Sequence, residues 1–300
     1  MRILVTGGLG TIGSPLVSEL QDRGHHVWAT DARHSHHENY RRADLREFRQ
    51  LSNVFHDAEP DLVYHLGAEF GRHNGEDYYE DVWTSNVVGT RHVIELCDMY
   101  GIKLVYASSS EVYGDCYDGK LTEDVTKDKT PLQMNDYAIT KWVTELQMER
   151  LYPEAMVCRF FNSYGPGEYY TPYRSVVALF CYRMLTKQKI DLYDGYSRAF
   201  MFMDDFIPTL ANAADTYLAG HTVNIGGAEV RTVNDLAHIA LEATGASPGL
   251  LNIMPYEEHN TVSKVPDNSK AAALLGHDPK VGLEEGVPLT VKWMRKEYGL

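Results

Sequence analysis

The sequence has few cysteines and comparatively few basic residues. Its four cysteines, Cys97, Cys116, Cys158 and Cys181, form no CxxC pair, which argues against a zinc ribbon or a disulfide framework. Basic residues number 28 against 42 acidic ones, for a net charge of −14 over 300 residues. Because proteins that bind phosphate backbones normally carry a basic excess, we expect no nucleic-acid partner and no anionic membrane surface as a partner.

Long apolar runs and metal-ligand clusters are also missing. No run approaches the roughly 20 apolar residues of a membrane span. The N-terminus, Met-Arg-Ile-Leu-Val followed by glycines, is typical of a strand and not of a signal peptide. His34, His36 and His37 stand in a polar segment without the further ligands that a metal site requires. The sequence therefore predicts a cytoplasmic protein with no metal site.

Short apolar strands alternate with helical segments in the first half of the chain. Single helices between strands indicate βαβ units, so we predict an α/β fold with a Rossmann-type, doubly wound parallel sheet. The predicted strands cover residues 2–6, 26–30, 61–66, 102–108 and 155–160, and the predicted helices cover 14–23, about 80–100 and about 137–151.

The alternation loosens beyond the sequence Gly-Pro-Gly at 165–167. We expect residues 1–165 to form a dinucleotide-binding domain and residues 166–300 to form a smaller α/β cap that binds substrate. Some of the chain is expected to cross back to the first domain. The elements predicted there are a strand over 222–225 and helices over about 174–186, 232–244 and 284–298.

The glycine-rich sequence Thr-Gly-Gly-Leu-Gly-Thr-Ile-Gly follows the first strand and opens the first helix. Gly7 and Gly10 let the backbone approach a pyrophosphate, and Gly13 lets helix and strand pack closely. Asp31, at the end of the second strand, can accept hydrogen bonds from both ribose hydroxyls and would repel a 2′-phosphate. These residues predict bound NAD rather than NADP, although Arg33 is able to accommodate the phosphate. A tight turn beside an unrelated acid is the alternative.

Tyr137 and Lys141 are four residues apart and therefore share one face of a predicted helix. A neighbouring ammonium and the positive ring of NAD⁺ favour the phenolate of a tyrosine, whose pKa is ordinarily about 10. A serine triplet and Glu111 follow the fourth predicted strand, where ligands bind in open parallel sheets. Ser109 can hold the substrate oxygen that Tyr137 deprotonates. A solvated helix face and a serine-rich turn are the alternatives.

Together these motifs resemble those of the extended short-chain dehydrogenase/reductase family, in its nucleotide-sugar epimerase, dehydratase and decarboxylase branch. In that family NAD transiently oxidises a sugar carbon, usually C4, and the hydride is returned. The resemblance also implies a homodimer. It covers nearly the whole chain, with matching segments at 65–68, 86–90, 159–167, 197–205, 223–226 and 266–276.

The resemblance implies a role for each matching residue. Tyr137 is the base, Lys141 holds the ribose and tunes Tyr137, and Ser109 is the partner hydroxyl. Arg198 corresponds to the residue that clamps the diphosphate, and Lys264 is either a second diphosphate contact or none. Further NAD contacts are expected from Thr11, Ile12, Leu66 and Ala68, with Asp44 and Leu45 at the adenine edge, and further substrate contacts from Ser110, Asn162 and Arg174. The segment 69–75 departs from the family where relatives cover the hexose, and there we expect Arg72 or His73 to hold a carboxylate or an unusual hydroxyl of the sugar.

Glu111 bears on the outcome of the reaction. A 4-epimerase needs only to rotate the ketone intermediate and return the hydride to it. Branches that lose water or carbon dioxide typically carry a glutamate at this position. We predict an NAD-dependent nucleotide-sugar epimerase/dehydratase. The alternatives are a decarboxylase of a nucleotide-linked uronic acid, a net NAD(P)H-dependent keto-sugar reductase, and a non-catalytic dinucleotide-binding protein.

Overall fold

The architecture is that of a computed structural model that describes residues 1–116, 119–255 and 260–300. Its strands are β1 (Arg2–Thr6), β2 (His26–Thr30), β3 (Leu62–His65), β4 (Lys103–Ser109), β5 (Lys120–Leu121), β6 (Met156–Phe160), β7 (Ser163–Tyr164), β8 (Ile190–Tyr193), β9 (Ser197–Ala199), β10 (Met201–Phe202), β11 (Thr222–Ile225), β12 (Val230–Thr232), β13 (Leu251–Met254) and β14 (Ser263–Pro266).

The helices connect and cover these strands. They are α1 (Gly13–Asp22), α2 (Phe48–Ala58), α3 (Arg72–Asp77), α4 (Tyr79–Trp83), α5 (Thr90–Tyr100), α6 (Val125–Asp128), α7 (Asp136–Leu151), α8 (Val176–Leu185), α9 (Met203–Asp215), α10 (Val233–Thr244), α11 (Ser269–Leu275) and α12 (Leu283–Tyr298). A π-helical segment (Thr84–Gly89) joins α4 to α5, and 3₁₀ turns lie at Ser110–Tyr113 and Pro248–Leu250.

A six-stranded parallel sheet in the order β11-β6-β4-β3-β1-β2 forms the centre of the molecule. Its strands are mostly apolar because helices cover both faces. Helices α1, α9 and α11 pack on one face, and α2, α5 and α7 pack on the other. This arrangement confirms the predicted Rossmann-type sheet. The strand order reverses between β1 and β3, which is where such sheets bind ligands.

A second core lies in the C-terminal half, where α8, α10 and α12 pack around β8. Strand β11 lies in the central sheet beside β6, although it follows residue 166 in the chain. Smaller sheets, β12-β9-β14-β5, β13-β8 and β10-β7, connect this half to the loops above the central sheet. The division of the chain at 165 and 166 stays a prediction.

Several helices, among them α2 and α9, depart from the expectations drawn from the sequence. Helix α2 was not predicted, although its buried residues Leu51, Val54, Phe55 and Ala58 have helical spacing. Helix α9 was not predicted either; it contains Pro208, and proline inside a helix removes a backbone donor. The single helix predicted over about 80–100 is divided into α4, the π-helical segment and α5.

All four cysteines are buried and carry free thiols. None of the helices in the described ranges combines the length and apolar character needed to cross a bilayer.

Candidate active site

The glycine-rich loop forms a cradle made of backbone. Gly7 has a φ of +67°, which side chains rarely adopt, and a Cβ atom at Gly13 would lie 2.1 Å from the Gly7 carbonyl oxygen. Helix α1 begins at Gly13, and the Ser14 amide donates to the Gly10 carbonyl oxygen at 3.0 Å, so the loop leads directly into the first helical turn. The Gly10 amide donates to the Gly7 oxygen at 2.9 Å and closes the turn. This close packing fits a dinucleotide pyrophosphate at the helix N-terminus.

Asp31 ends β2 directly beside this loop. Its Oδ2 accepts a hydrogen bond from the Leu9 amide at 3.2 Å, which fixes the carboxylate at the edge of the loop. The backbone amide and Nε of Arg33 donate to Oδ1 at 3.1 Å. The Arg33 guanidinium is thus paired with the acid that is predicted to bind the ribose. This pairing supports the prediction of NAD rather than NADP.

Helix α7 carries Tyr137 and Lys141 toward the end of β4. The Asn135 side chain caps the helix by accepting from the Ala138 amide at 2.8 Å. Lys141 Nζ donates to the Ala107 carbonyl oxygen at 2.8 Å and lies 6.0 Å from the centre of the Tyr137 ring. Burial lowers the pKa of Lys141 to about 8. The tyrosine and the lysine therefore share the helix face that the sequence predicts.

Tyr137 is neutral in the protein without cofactor. Burial raises its pKa to about 12, the side-chain hydrogen bond with Ser109 opposes this rise, and the negative charge of Glu111 adds to it. A positive charge brought next to the phenol would lower this pKa. The tyrosine therefore keeps its proton unless a positive charge lies beside the phenol.

A buried ion pair beneath Lys141 was not expected from the sequence. Arg159 Nη2 lies 2.7 Å from Glu145 Oε2, and both side chains are almost fully buried. The Ser108 hydroxyl donates to the same carboxylate. Glu145 follows Lys141 by one helical turn, so the ion pair anchors α7 to β6, while the Ser108 hydrogen bond anchors it to the end of β4. The i, i+4 spacing was visible in the sequence, but the distant arginine partner was not.

Glu111 follows β4 in a 3₁₀ turn, and its own backbone amide donates to Ser109 Oγ at 3.2 Å. Its carboxylate forms an ion pair with Lys264 of β14. Burial acts to raise the pKa of Glu111, but the charges of Lys264, Arg72 and Arg198 together lower it to about 2. Burial lowers the pKa of Lys264 to about 8, so both partners are charged at neutral pH.

Arg198, the expected diphosphate clamp, is held by the segment before β14. Its Nη2 donates to Asn260 Oδ1 at 2.5 Å and to the Thr261 carbonyl at 2.8 Å, and its Nη1 donates to the Val262 carbonyl at 3.1 Å. For Lys264 the sequence leaves two alternatives open. Because its side chain is 1% exposed and faces Glu111, the structure favours no diphosphate contact.

A cavity of about 520 Å³ lies between the glycine-rich loop and the C-terminal half. Its wall brings together most of the predicted catalytic and substrate residues. The predicted residues in the wall are Thr11, Ile12, Ser109, Ser110, Glu111, Tyr137, Asn162, Arg72, Arg174 and Arg198.

The other predicted cofactor residues lie outside the wall that the described residues form. Lys141 is behind Tyr137. Leu45 packs beneath Gly67, and the Asp44 carboxylate is paired with Arg46 at 2.7 Å. Contact of Asp44 and Leu45 with the adenine edge stays a prediction. The residues outside the wall are Gly7, Gly10, Gly13, Asp31, Arg33, Asp44, Leu45, Leu66, Ala68 and Lys141.

Two segments, 70–77 and 173–174, meet over the cavity, and one of the residues that join them, Arg174, is a predicted substrate contact. The Arg174 guanidinium stacks 4.1 Å from the centre of the Phe70 ring, and the Tyr173 hydroxyl donates to Asp77 Oδ2 at 3.0 Å. Glu168 is buried nearby and accepts from the backbone amide and hydroxyl of Ser175, the residue that caps α8. Burial raises the pKa of Glu168.

Comparison with known proteins gives consistent matches over most of the chain. The model of the "NAD dependent epimerase/dehydratase family" matches residues 3–226. UDP-glucuronic acid decarboxylase 1 of Danio rerio is 30% identical over 99% of this chain and 73% of that protein.

Solved structures of related proteins also match nearly the whole chain. UDP-glucose 4-epimerase of Thermotoga maritima with UDP-glucose has a TM-score of 0.90 at 28% identity, over 99% of this chain and 100% of that one. UDP-glucuronic acid 4-epimerase of Bacillus cereus, in complex with UDP-glucuronic acid and NAD, has a TM-score of 0.87 at 25% identity, over 99% and 100% of the two chains.

Replacing Gly13 with alanine should abolish dinucleotide binding. The added Cβ would overlap the Gly7 oxygen, and overpacking of this kind costs about 1–3 kcal/mol. We expect Gly13→Ala to lose NAD on purification and to unfold at a lower temperature. Gly249→Ala is the control, because its Cβ would meet only Ser247 Oγ at 3.4 Å. Equal NAD content in both variants would contradict the packing argument.

NAD⁺ should generate the Tyr137 phenolate. The positive nicotinamide ring lowers the pKa of a phenol that burial holds at about 12. At alkaline pH below that value, NAD⁺ should therefore add phenolate absorbance in the near ultraviolet. NADH, whose ring is neutral, and the Tyr137→Phe variant are the controls. The same absorbance change in either control would refute this role of the ring charge.

Proposed function

Because this chain belongs to the NAD-dependent epimerase/dehydratase family, we propose that it oxidises a UDP-linked sugar at C4 and returns the hydride. Membership confirms the predicted class, an NAD-dependent enzyme that acts on nucleotide sugars, and NAD as its cofactor. The observation that supports the chemistry is the shared wall of Tyr137, Ser109 and Glu111 in one cavity beside the glycine-rich loop.

Each of these residues has a task in the proposed mechanism. The glycine-rich loop and Asp31 hold the dinucleotide, and Lys141 holds the ribose of its nicotinamide half. When bound, NAD supplies the hydride acceptor and donor. Ser109 holds the sugar O4, and Tyr137 takes the O4 proton and later returns it. The raised pKa of Tyr137 favours the return of that proton.

The state of Glu111 bears on the step after oxidation. A C4 ketone acidifies the C5 hydrogen, and it makes a C6 carboxylate a β-keto acid that loses carbon dioxide. Dehydration requires a base at C5, and a carboxylate with a pKa of about 2 is a weak base. Decarboxylation and epimerisation need no such base, so the ion pair with Lys264 favours these two outcomes.

We propose a UDP-linked hexuronic acid as the substrate and decarboxylation as the outcome. Arg72 lines the cavity on the side of Glu111, and the planar fork of a guanidinium matches a carboxylate. The similarity to a UDP-glucuronic acid decarboxylase supports this choice. Epimerisation at C4 is the second candidate, supported by the similarity in structure to UDP-sugar 4-epimerases.

The homodimer implied by the resemblance, the cytoplasmic location, and the absence of nucleic-acid and membrane partners stay predictions.

Product analysis tests the proposal. We expect the purified protein, without added reductant, to convert UDP-glucuronic acid to a product that has lost carbon dioxide, and Tyr137→Phe to convert none. UDP-glucose serves as the neutral comparison substrate. Unchanged mass with a new sugar NMR spectrum would favour epimerisation. Loss of water, or net consumption of NADH, would contradict the proposal.

Arg72→Met tests the hexuronic acid. A hydrogen bond to a charged group contributes about 1.5–3 kcal/mol, so KM for UDP-glucuronic acid should rise about 10-fold to 100-fold. The affinity for UDP-glucose should not change, since this sugar has no carboxylate for Arg72 to bind. Arg91→Met, in an exposed pair with Glu95, is the control. An equal loss for both sugars would show that Arg72 does not select the carboxylate.

A further inference from the structure

One short stretch of chain holds two charged groups of the cavity. The segment 260–262 accepts three hydrogen bonds from the Arg198 guanidinium. Two residues later, Lys264 forms its ion pair with Glu111. Strand β14 runs parallel to β9, with Lys264 opposite Arg198 and with Ser197 and Ser263 hydrogen-bonded at 2.8 Å. The two charged groups therefore depend on the same backbone.

Lys264 itself does not stand in the cavity wall formed by the described residues, whereas Glu111 does. The lysine side chain is 1% exposed and that of Glu111 15% exposed. A buried ammonium is costly unless it is paired, and its pair here is a residue that faces the substrate position. The ion-pair partner through which Lys264 reaches the cavity wall is accordingly Glu111.

We propose that Lys264 is a positioning residue, whose ammonium holds the Glu111 carboxylate ionised and in one orientation at the sugar end of the cavity. Strand β14 then ties the orientation of this carboxylate to the placement of Arg198. The inference rests on the proposed function in so far as Glu111 contacts the sugar. It extends that function by assigning a role to a residue outside the cavity.

The charges around Glu111 give the expected direction of its titration. Lys264 reaches it from β14, Arg72 from α3 and Arg198 from β9, while the phenol of Tyr137 lies on α7. Burial acts to raise the pKa of Glu111, and Lys264 is the strongest of the charges that oppose it. Removal of the ammonium should therefore raise the pKa of Glu111, so that its carboxylate becomes protonated at a higher pH than in the parent.

Four variants test the proposal: Lys264→Met, Lys264→Arg, Glu111→Gln and the double variant Lys264→Met/Glu111→Gln. We expect Lys264→Met to lower kcat on UDP-glucuronic acid on the order of 10²-fold, because a misplaced Glu111 carboxylate no longer orients the sugar. The acid limb of its pH profile should shift to higher pH. The dissociation constant of UDP should stay unchanged. Lys264→Arg should restore most of kcat, because it keeps the charge.

The double variant separates action through Glu111 from an independent effect. If Lys264 acts through Glu111, the double variant should be no slower than Glu111→Gln alone. Additive losses would overturn the proposal, as would a Lys264→Met enzyme with the kcat and pH profile of the parent. The double variant leaves no unpaired charge in the pair, so it remains informative if Lys264→Met fails to fold.

A measurement that requires no turnover tests the role of Lys264 independently of the proposed function. The ¹³C resonance of the Glu111 carboxyl, assigned by its loss in Glu111→Gln, reports its titration in the protein with NAD bound. It should titrate at higher pH in Lys264→Met and near the parent pH in Lys264→Arg. Equal titration in parent and Lys264→Met would refute the role of Lys264. Failure of the parent to convert UDP-glucuronic acid would refute the function alone.

Discussion

The hydrogen bond from Lys141 to the Ala107 carbonyl joins helix α7 to the end of strand β4, and the reacting groups are arranged around this junction. Tyr137 precedes the lysine by one helical turn, while Ser109 and Glu111 follow the carbonyl within one short turn of chain. The buried Arg159–Glu145 pair joins the same helix to the neighbouring strand β6. A tyrosine from a helix and a serine from a strand are thus held in one cavity, as the proposed reaction at a single sugar oxygen requires.

Burial has opposite results at the two acids of this site. For Tyr137, burial exceeds the opposing hydrogen bond with Ser109, and the phenol keeps its proton. For Glu111, three cationic side chains exceed burial, and the carboxyl loses its proton. The two pKa values differ because the neighbouring charges differ, not because one group is more deeply buried, since both side chains lie in the wall of the same cavity. A neutral acid and a fixed anion are therefore available side by side.

The sequence predicted those features that rest on local pattern. The central strands were predictable because buried parallel strands are apolar throughout, and the dinucleotide loop because its glycines have a fixed spacing. The strands of the sheet β12-β9-β14-β5 were not, since they are only two to four residues long and carry no periodicity. The pairing of Glu111 with Lys264 depends on that sheet, so neither residue's local sequence reveals it.

The two segments above the cavity touch through the stack of Arg174 on Phe70 and the bond of Tyr173 to Asp77. A partly exposed cation–π contact contributes about 0.5–1 kcal/mol, and a single hydrogen bond about as much. The hydrophobic cores beneath involve many more contacts, so these two contacts are weak beside the packing that holds the sheet together. Breaking both would therefore cost far less free energy than unfolding the sheet, so that entry to the cavity and the stability of the fold depend on different parts of the molecule.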